Sequence, residues 1–259
     1  MNVLRKGSYG DDVKRLQEIL HLTVDGEFGN RTLEAVKEFQ RDNGLFPDGI
    51  VGPKTWDCLL EESELNIVKS VINTHITYDT LRKVKYIAIH YTAGSTSKAG
   101  SAENTRKVFL SRPASADFVV DDTTVIQINP DIKKYYCWAV GDKLNGYTGG
   151  GRLSGLASNK NTISIEICSN LKKGASALYP NHDGWYFSEE ALNKAVELVK
   201  YLMKRYDIPK ENVVRHYDIT GKLCPGIIGW NDGILYDNNG KSVGKCNNSK
   251  EWEAFLAKI

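Results

Sequence analysis

The sequence predicts an α/β fold, a mixed central sheet flanked by helices, preceded by a small N-terminal three-helix domain. Two patterns carry this reading. From residue 69 onward, short apolar runs of strand type alternate with helical patterns. Before that, residues 1 to about 60 hold an internal repeat, in which one turn recurs 23 residues later. A third observation concerns chemistry: the stretch Val214–Pro225 gathers an imidazole (His216), an amine (Lys222) and a thiol (Cys224), with Gly221 and Pro225 bracketing the thiol.

The repeat is Asp25-Gly26-Glu27-Phe28-Gly29-Asn30-Arg31-Thr32, echoed by Asp48-Gly49-Ile50-Val51-Gly52-Pro53-Lys54-Thr55. Each copy reads as a tight Asp-Gly turn, a second Gly where the chain reverses, and a Thr suited to cap the next helix. Val13, Leu16, Ile19 and Leu20, then Leu33, Val36, Phe39 and Gln40, fall at helical spacing. The acidic stretch Leu59–Glu64 closes this unit. The expected boundary lies near residues 61 to 68, with domains at 1–62 and 69–259.

In the second part, a strand or helix-strand segment is expected around 69–78, then Tyr86-Ile87-Ala88-Ile89-His90 as a buried strand that delivers a histidine to the sheet edge. A helix over Ala102–Ser111 and strands at 118–120 and 124–128 follow, the latter two joined by the Asp121-Asp122 turn. After a Gly-rich loop at 141–161 comes the strand Thr162–Cys168. Ser188-Glu189-Glu190-Ala191 reads as an N-cap with acids in the first turn of a helix reaching Tyr206, with Leu192, Val196, Val199 and Leu202 on one face. Val213–His216 is expected as the last central strand. Residues 226–248 read as an insertion or hairpin, and 250–256 as a terminal amphipathic helix.

The net charge of +2 with 25% charged residues gives no electrostatic case for nucleic acid or an anionic membrane. No apolar run reaches the roughly 18 residues of a membrane span, and Met1–Gly7 lacks the apolar core of a signal peptide. Five cysteines, an odd number at irregular spacing, argue for reduced thiols.

Imidazole nitrogen and thiolate sulfur are ligands that zinc prefers, and a catalytic zinc takes three protein ligands and keeps one position open. His216 and Cys224 therefore call for a third ligand, and among the five histidines (His21, His75, His90, His182, His216) His90 stands out at its strand end. Glu166, flanked by Ile165 and Ile167, is a carboxylate on a strand expected to be buried on at least one face, a costly placement unless it is paired or poised as a base.

The N-terminal unit resembles the peptidoglycan-binding domain of cell-wall hydrolases through Gly7, Gly10, Val13, Leu16, Gln17, Leu20, the two Asp-Gly turns, Thr32, Val36, Phe39-Gln40, Gly44-Leu45 and Thr55-Trp56. Residues 70–259 resemble the type 2 N-acetylmuramoyl-L-alanine amidases, zinc enzymes related to the peptidoglycan recognition proteins. The matching pieces are Ile89–Gly94, Ala116–Asp121, Asn161–Glu166, Arg215–Asp218 and Gly221–Pro225. The resemblance implies that His90, His216 and Cys224 bind Zn²⁺, that Glu166 is the general base and that Lys222 steadies the developing oxyanion. It implies peptidoglycan as substrate and, with no leader in view, a phage-type endolysin made in the cytoplasm and admitted to the wall by a holin-like permeabilising partner. A recognition module without catalysis and a zinc peptidase cutting within the stem peptide are the rivals. Two departures stand out: Ala116-Asp117 occupy positions where some relatives carry Tyr or His, and no histidine lies near Cys137–Gly141.

Overall fold

The computed structural model describes residues 1–94, 96–141, 150–175, 184–225, 228, 233–236, 242–246 and 249–259, with backbone only for 233–236, 242–246 and 249. His182 and the side chain of Cys246 lie outside the described residues. The chain divides into two compact units, Met1–Asn66 and Ile67–Ile259.

The first unit has helices α1 (Asp11–Ile19), α2 (Asn30–Asp42) and α3 (Pro53–Glu64) around Leu4, Val13, Leu16, Phe28, Val36, Phe39, Val51, Trp56 and Leu59. The two repeats share one hydrogen-bond plan. Gln17 accepts from Gly26 N–H (2.9 Å) and donates through Nε2 to Asp25 Oδ1 (2.7 Å), the Glu27 carbonyl (3.1 Å) and Thr32 Oγ1 (3.2 Å). Gln40 does the same with Gly49, Asp48, Ile50 and Thr55. Both turn glycines have φ of +76°, the left-handed region that costs a side chain dearly. The expectation that Thr32 and Thr55 cap the helices is corrected here. Gly29 and Gly52 hold the N-cap positions without a side-chain cap, and each threonine sits inside the first turn, tied to its glutamine.

The second unit is built on a six-stranded mixed sheet. Its strands, with the shorter ones, are β1 (Ile67–Lys69), β2 (Ile76–Tyr78), β3 (Tyr86–Tyr91), β4 (Phe118–Val120), β5 (Val125–Gln127), β6 (Tyr135–Cys137), β7 (Thr162–Ile167), β8 (Asn170–Leu171), β9 (Trp185–Tyr186) and β10 (Val213–Arg215). The sheet order is β1-β5-β4-β7-β3-β10, with only the β4–β5 hairpin antiparallel. Ile87, Ile89, Ile163, Ile165 and Ile167 are fully buried, the near-continuous apolar run expected of parallel strands covered on both faces. Helices α4 (Ser101–Ser111), α5 (Glu189–Tyr206), α6 (His216–Thr220) and α7 (Ser249–Ala257) and the antiparallel hairpin β11 (Gly233–Tyr236) and β12 (Ser242–Cys246) complete it. Ser188 Oγ accepts from Ala191 N–H and caps α5.

Three readings change. Val213–Arg215 forms an edge strand rather than a central one, because β3 is its sole neighbour in the sheet among the described residues. His216 opens α6 instead of ending the strand. The antiparallel pairs β2–β6 and β8–β9 were not expected; runs of two or three residues are too short to display a period.

Opposite in character to an open site, a buried ion pair fixes one side of the sheet. Arg82 Nη1 lies 3.5 Å from Asp117 Oδ1 and also donates to the carbonyls of Ile132 (2.7 Å) and Tyr135, while Nη2 donates to that of Thr162 (2.6 Å). Asp117 in turn accepts from Asn129 Nδ2 (2.6 Å) and Ser164 N–H (2.7 Å).

Candidate metal centre and its cleft

Parallel pairing sets the site. In the β3–β7 register His90 stands directly beside Glu166, and β10, paired to β3 through Arg215↔Ile89, places His216 one residue past the strand end. All three groups thus emerge at the carboxyl ends of neighbouring strands, where open α/β sheets collect ligands.

The chain after β10 is shaped to bring the thiol back. Arg215 clamps Asp218 through its own N–H (2.9 Å), Nε (3.0 Å) and Nη2 (2.9 Å), and Arg152 Nε adds a bond of 3.2 Å to the same carboxylate. That anchors the first turn of α6. Gly221 ends the helix with φ +77°, its N–H donating to the Tyr217 carbonyl (2.9 Å), and the Cys224 carbonyl accepts from Tyr217 N–H (3.0 Å). Gly150 packs so close that an added Cβ would lie 2.6 Å from the Tyr217 oxygen, so this approach requires glycine.

His90, His216 and Cys224 are 1%, 2% and 3% exposed, and their ligand atoms all lie within 4.8 Å of one another. Cys224 Sγ is 3.8 Å from His90 Nδ1, and the two imidazole centroids are 4.6 Å apart. Tetrahedral zinc, with Zn–N near 2.0–2.1 Å and Zn–S near 2.3 Å, would separate N from S by about 3.6 Å. His216 Nε2 lies 2.8 Å from the Val140 carbonyl. A carbonyl only accepts, so Nε2 carries the hydrogen and the neutral ring presents its lone pair at Nδ1. That Nδ1, together with His90 Nε2 and Glu166 Oε2, is buried without a hydrogen-bond partner among the described residues. An orphaned lone pair at His216 Nδ1, in a group whose other ligand atoms on His90 and Cys224 lie within 4.8 Å, is what a cation would satisfy, so the donor set fits zinc.

The electrostatics agree. Burial, and then the charges of His216 and Lys222, hold His90 well below the ordinary imidazole value, and burial with Lys222 lowers His216 to about 4. Both rings are therefore neutral, the form that ligates metal. Burial raises the Cys224 thiol, with Glu166 adding to the rise; Lys222 and the Tyr91 N–H oppose it. A cation there would draw it to thiolate. Burial lifts Glu166 to about 8 against the pull of Lys222 and Arg112. Its residue as a whole is half-buried while its Oε2 is sealed, and the atom is what matters for proton transfer.

A cleft of about 690 Å³ opens from His90, Glu166, Lys222 and Cys224 along α4 to Arg112 and Trp138. Lys222 is exposed at its edge. The sequence reading did not single out Arg112 or Trp138, nor the Val140 carbonyl: nothing local distinguishes a cleft-facing arginine at a helix end. Ala116 and Asp117 are buried, and Asp117 belongs to the Arg82 cluster. Of the other histidines, His75 donates through Nδ1 to the Phe109 carbonyl, and His21 lies in the first unit.

A mixed α/β sheet carrying a buried His–His–Cys set beside a sealed carboxyl group defines a class of chain equipped to hold a tetrahedral metal at the mouth of a cleft. Residues 80–227, more than half of the chain, match the N-acetylmuramoyl-L-alanine amidase family, and residues 9–59 match a peptidoglycan binding domain. The chain belongs to the N-acetylmuramoyl-L-alanine amidase family. It is similar to amidase CwlL of Bacillus licheniformis, 37% identical over 154 residues that cover 56% of this chain and 37% of CwlL. CwlH of Bacillus subtilis is 34% identical over 143 residues, 54% of this chain and 46% of CwlH. The chain therefore spans less than half the length of these curated relatives. A mutant endolysin from Bacillus subtilis superposes with a TM-score of 0.50 at 26% identity, covering 75% of this chain and 98% of that one.

Proposed function

We propose that this protein hydrolyses the amide between N-acetylmuramic acid and L-alanine in peptidoglycan, with Glu166 as general base, Lys222 as oxyanion partner and residues 1–62 as the wall-binding domain of an enzyme whose catalytic domain is 69–259. The observation that supports it most directly is the convergence of His90, His216 and Cys224 ligand atoms within 4.8 Å beside Glu166. These three residues would hold a zinc ion. When bound, it supplies Lewis-acid polarisation and a lowered water pKa at neutral pH.

The chain's own residues do the rest. Glu166, half-buried with its Oε2 sealed, takes a proton from the attacking water as the water oxygen bonds to the lactyl carbonyl carbon, and returns it to the alanine nitrogen as the C–N bond breaks. Lys222, exposed at the cleft edge, faces the carbonyl oxygen as it gains charge. The neutral imidazoles take no proton in this sequence, since burial keeps both below physiological pH.

Among the described residues no helix is long and apolar enough to cross a membrane. The reading includes action at the bacterial wall after cytoplasmic synthesis, with a holin-like permeabilising protein as the partner; co-expression with and without such a protein should decide whether lysis depends on it. The central test is digestion of purified walls followed by mass spectrometry. Intact stem peptides with new L-alanine amino termini are expected. Fragments cut inside the stem would make it a peptidase, and binding without release would make it a recognition module. Cys224→Ser should lower zinc content on gel filtration.

A further inference from the structure

We infer that Trp252 of α7 is a positioning residue for the metal centre: its ring holds the Arg215 guanidinium in place, and through it α7 sets how tightly His216 and Cys224 hold a zinc ion. The inference rests on the reading of His90, His216 and Cys224 as zinc ligands, and adds a control on that site from a helix outside the ligand set.

His216 lies between two residues that one guanidinium engages. Arg215, 6% exposed, has its Cζ 5.1 Å from the centroid of the Tyr217 ring and 5.4 Å from that of Trp252, so its cation rests over two aromatic faces. The same guanidinium donates to Asp218 through Nε and Nη2, at 3.0 and 2.9 Å, and so fixes the first turn of α6. Tyr217 carries the link onward: its N–H donates to the Cys224 carbonyl (3.0 Å), and its carbonyl accepts from Gly221 N–H (2.9 Å). Turning the guanidinium therefore disturbs both the helix that His216 opens and the loop that brings the thiol back. The fork is planar, and a flat ring beside it selects one orientation. A zinc site asks its ligand atoms to lie within about 0.2 Å of ideal distances, so a small rotation of α6 is enough to weaken it.

Trp252 offers a held surface. It is buried and stacks on the buried ring of Phe255, centroids 5.4 Å apart and planes 10° from parallel. Two lysines tie down the residues just past the helix: Lys258 Nζ donates to Asn193 Oδ1 of α5 (3.2 Å), and Lys210 Nζ to the Ile259 carbonyl (3.1 Å). Lys210 belongs to the turn that leads into β10, and Arg215 ends that strand. The C-terminal segment thus engages the chain on either side of β10. An edge strand with β3 alone beside it among the described residues lacks the restraint of a second neighbour, and these contacts supply it.

The test measures the zinc affinity of the full chain by competition with a chromophoric chelator, beside the thermal midpoint of the zinc-free protein. Trp252→Leu, which removes the aromatic face, should raise the zinc dissociation constant about tenfold, and Trp252→Phe, which keeps one, should stay within about threefold of the wild type. Trp252→Met takes the place of Trp252→Leu should that chain not fold. Ile72→Ala controls for stability: Ile72 is buried just past β1, at the sheet edge opposite β10, so its loss should lower the midpoint and leave zinc affinity unchanged. Arg215→Lys keeps a charge for Asp218 and loses the planar fork; it should weaken zinc to a similar degree, and adding Trp252→Leu to it should change little more. Wild-type affinity in Trp252→Leu overturns the inference. So does an equal weakening in Ile72→Ala for the same fall in midpoint, or a simple sum of the Trp252→Leu and Arg215→Lys losses. A wild type that takes up no zinc is a different result: it overturns the metal reading itself, and the inference with it.

Discussion

Two glutamine-centred turns in the first unit and the strand-end cluster in the second both bury polar atoms, and they treat them in opposite ways. Gln17 and Gln40 satisfy both ends of their amides, donating three times and accepting once. Among the described residues, His90 Nε2, His216 Nδ1 and Glu166 Oε2 at the cluster are sealed and have no hydrogen-bond partner, and no such atom occurs in the first unit. A buried polar atom left unsatisfied costs stability. Where a fold supports three at one place, the place is built for something that arrives later, whereas the closed glutamine networks are built only to hold turns together.

That contrast can be broken. The largest expected effect is at the cluster: Glu166→Ala should cut wall-hydrolysis rate about 10²–10⁴-fold, read by turbidity clearance, while zinc content and thermal midpoint hold. A midpoint that drops along with activity would make Glu166 a structural residue. Next comes the closed ion pair. Arg82→Met leaves Asp117 uncompensated and should cost about 3–5 kcal/mol in urea unfolding of the second unit, a loss much larger than Glu166→Ala causes.

In the first unit, Gln40→Ala takes the acceptor from Gly49 N–H and one of two donors from the Ile50 carbonyl, which keeps Thr55 Oγ1, and should cost about 1–3 kcal/mol, followed by hydrogen exchange of α2 and α3. Gln17→Ala should match it if the repeats are physically equivalent. The smallest effect concerns acid. The Glu27 N–H and the Gln17 amide lower Asp25, and the Ile50 N–H and Gln40 lower Asp48. Their folded values lie below the unfolded one, so the stabilisation is present above about pH 4 and is lost as pH falls through the lowered values. Hydrogen-exchange protection of α1–α3, taken relative to the intrinsic rate at each pH, should fall on acidification, less so in Asp48→Asn.

Much of this was legible along the chain because its signals are local or periodic. The Asp-Gly turns need left-handed backbone, and Gly26 and Gly49 supply it. Ser188 with Glu189 and Glu190 announced α5. The apolar runs at 86–90 and 162–167 are buried strands, since both faces of a parallel sheet are covered. What misled were short-range alternatives with equal local sense. Threonines three residues past a glycine can cap or can reach across to a glutamine, and Val213–His216 can be central or marginal in a sheet, since propensity does not encode neighbours.

The sequence by itself determined the sheet-and-helix architecture and the duplicated turns, and it singled out His90, Glu166, His216, Lys222 and Cys224 as candidates. Only the tertiary structure decided that His90 and Glu166 stand side by side in one register, that His216 turns its Nε2 to the Val140 carbonyl, and that Arg112 lines the same cleft. The reason is separation along the chain. Cys224 lies 134 residues from His90, and which distant side chains meet is fixed by strand order and register, which no local pattern of residues encodes.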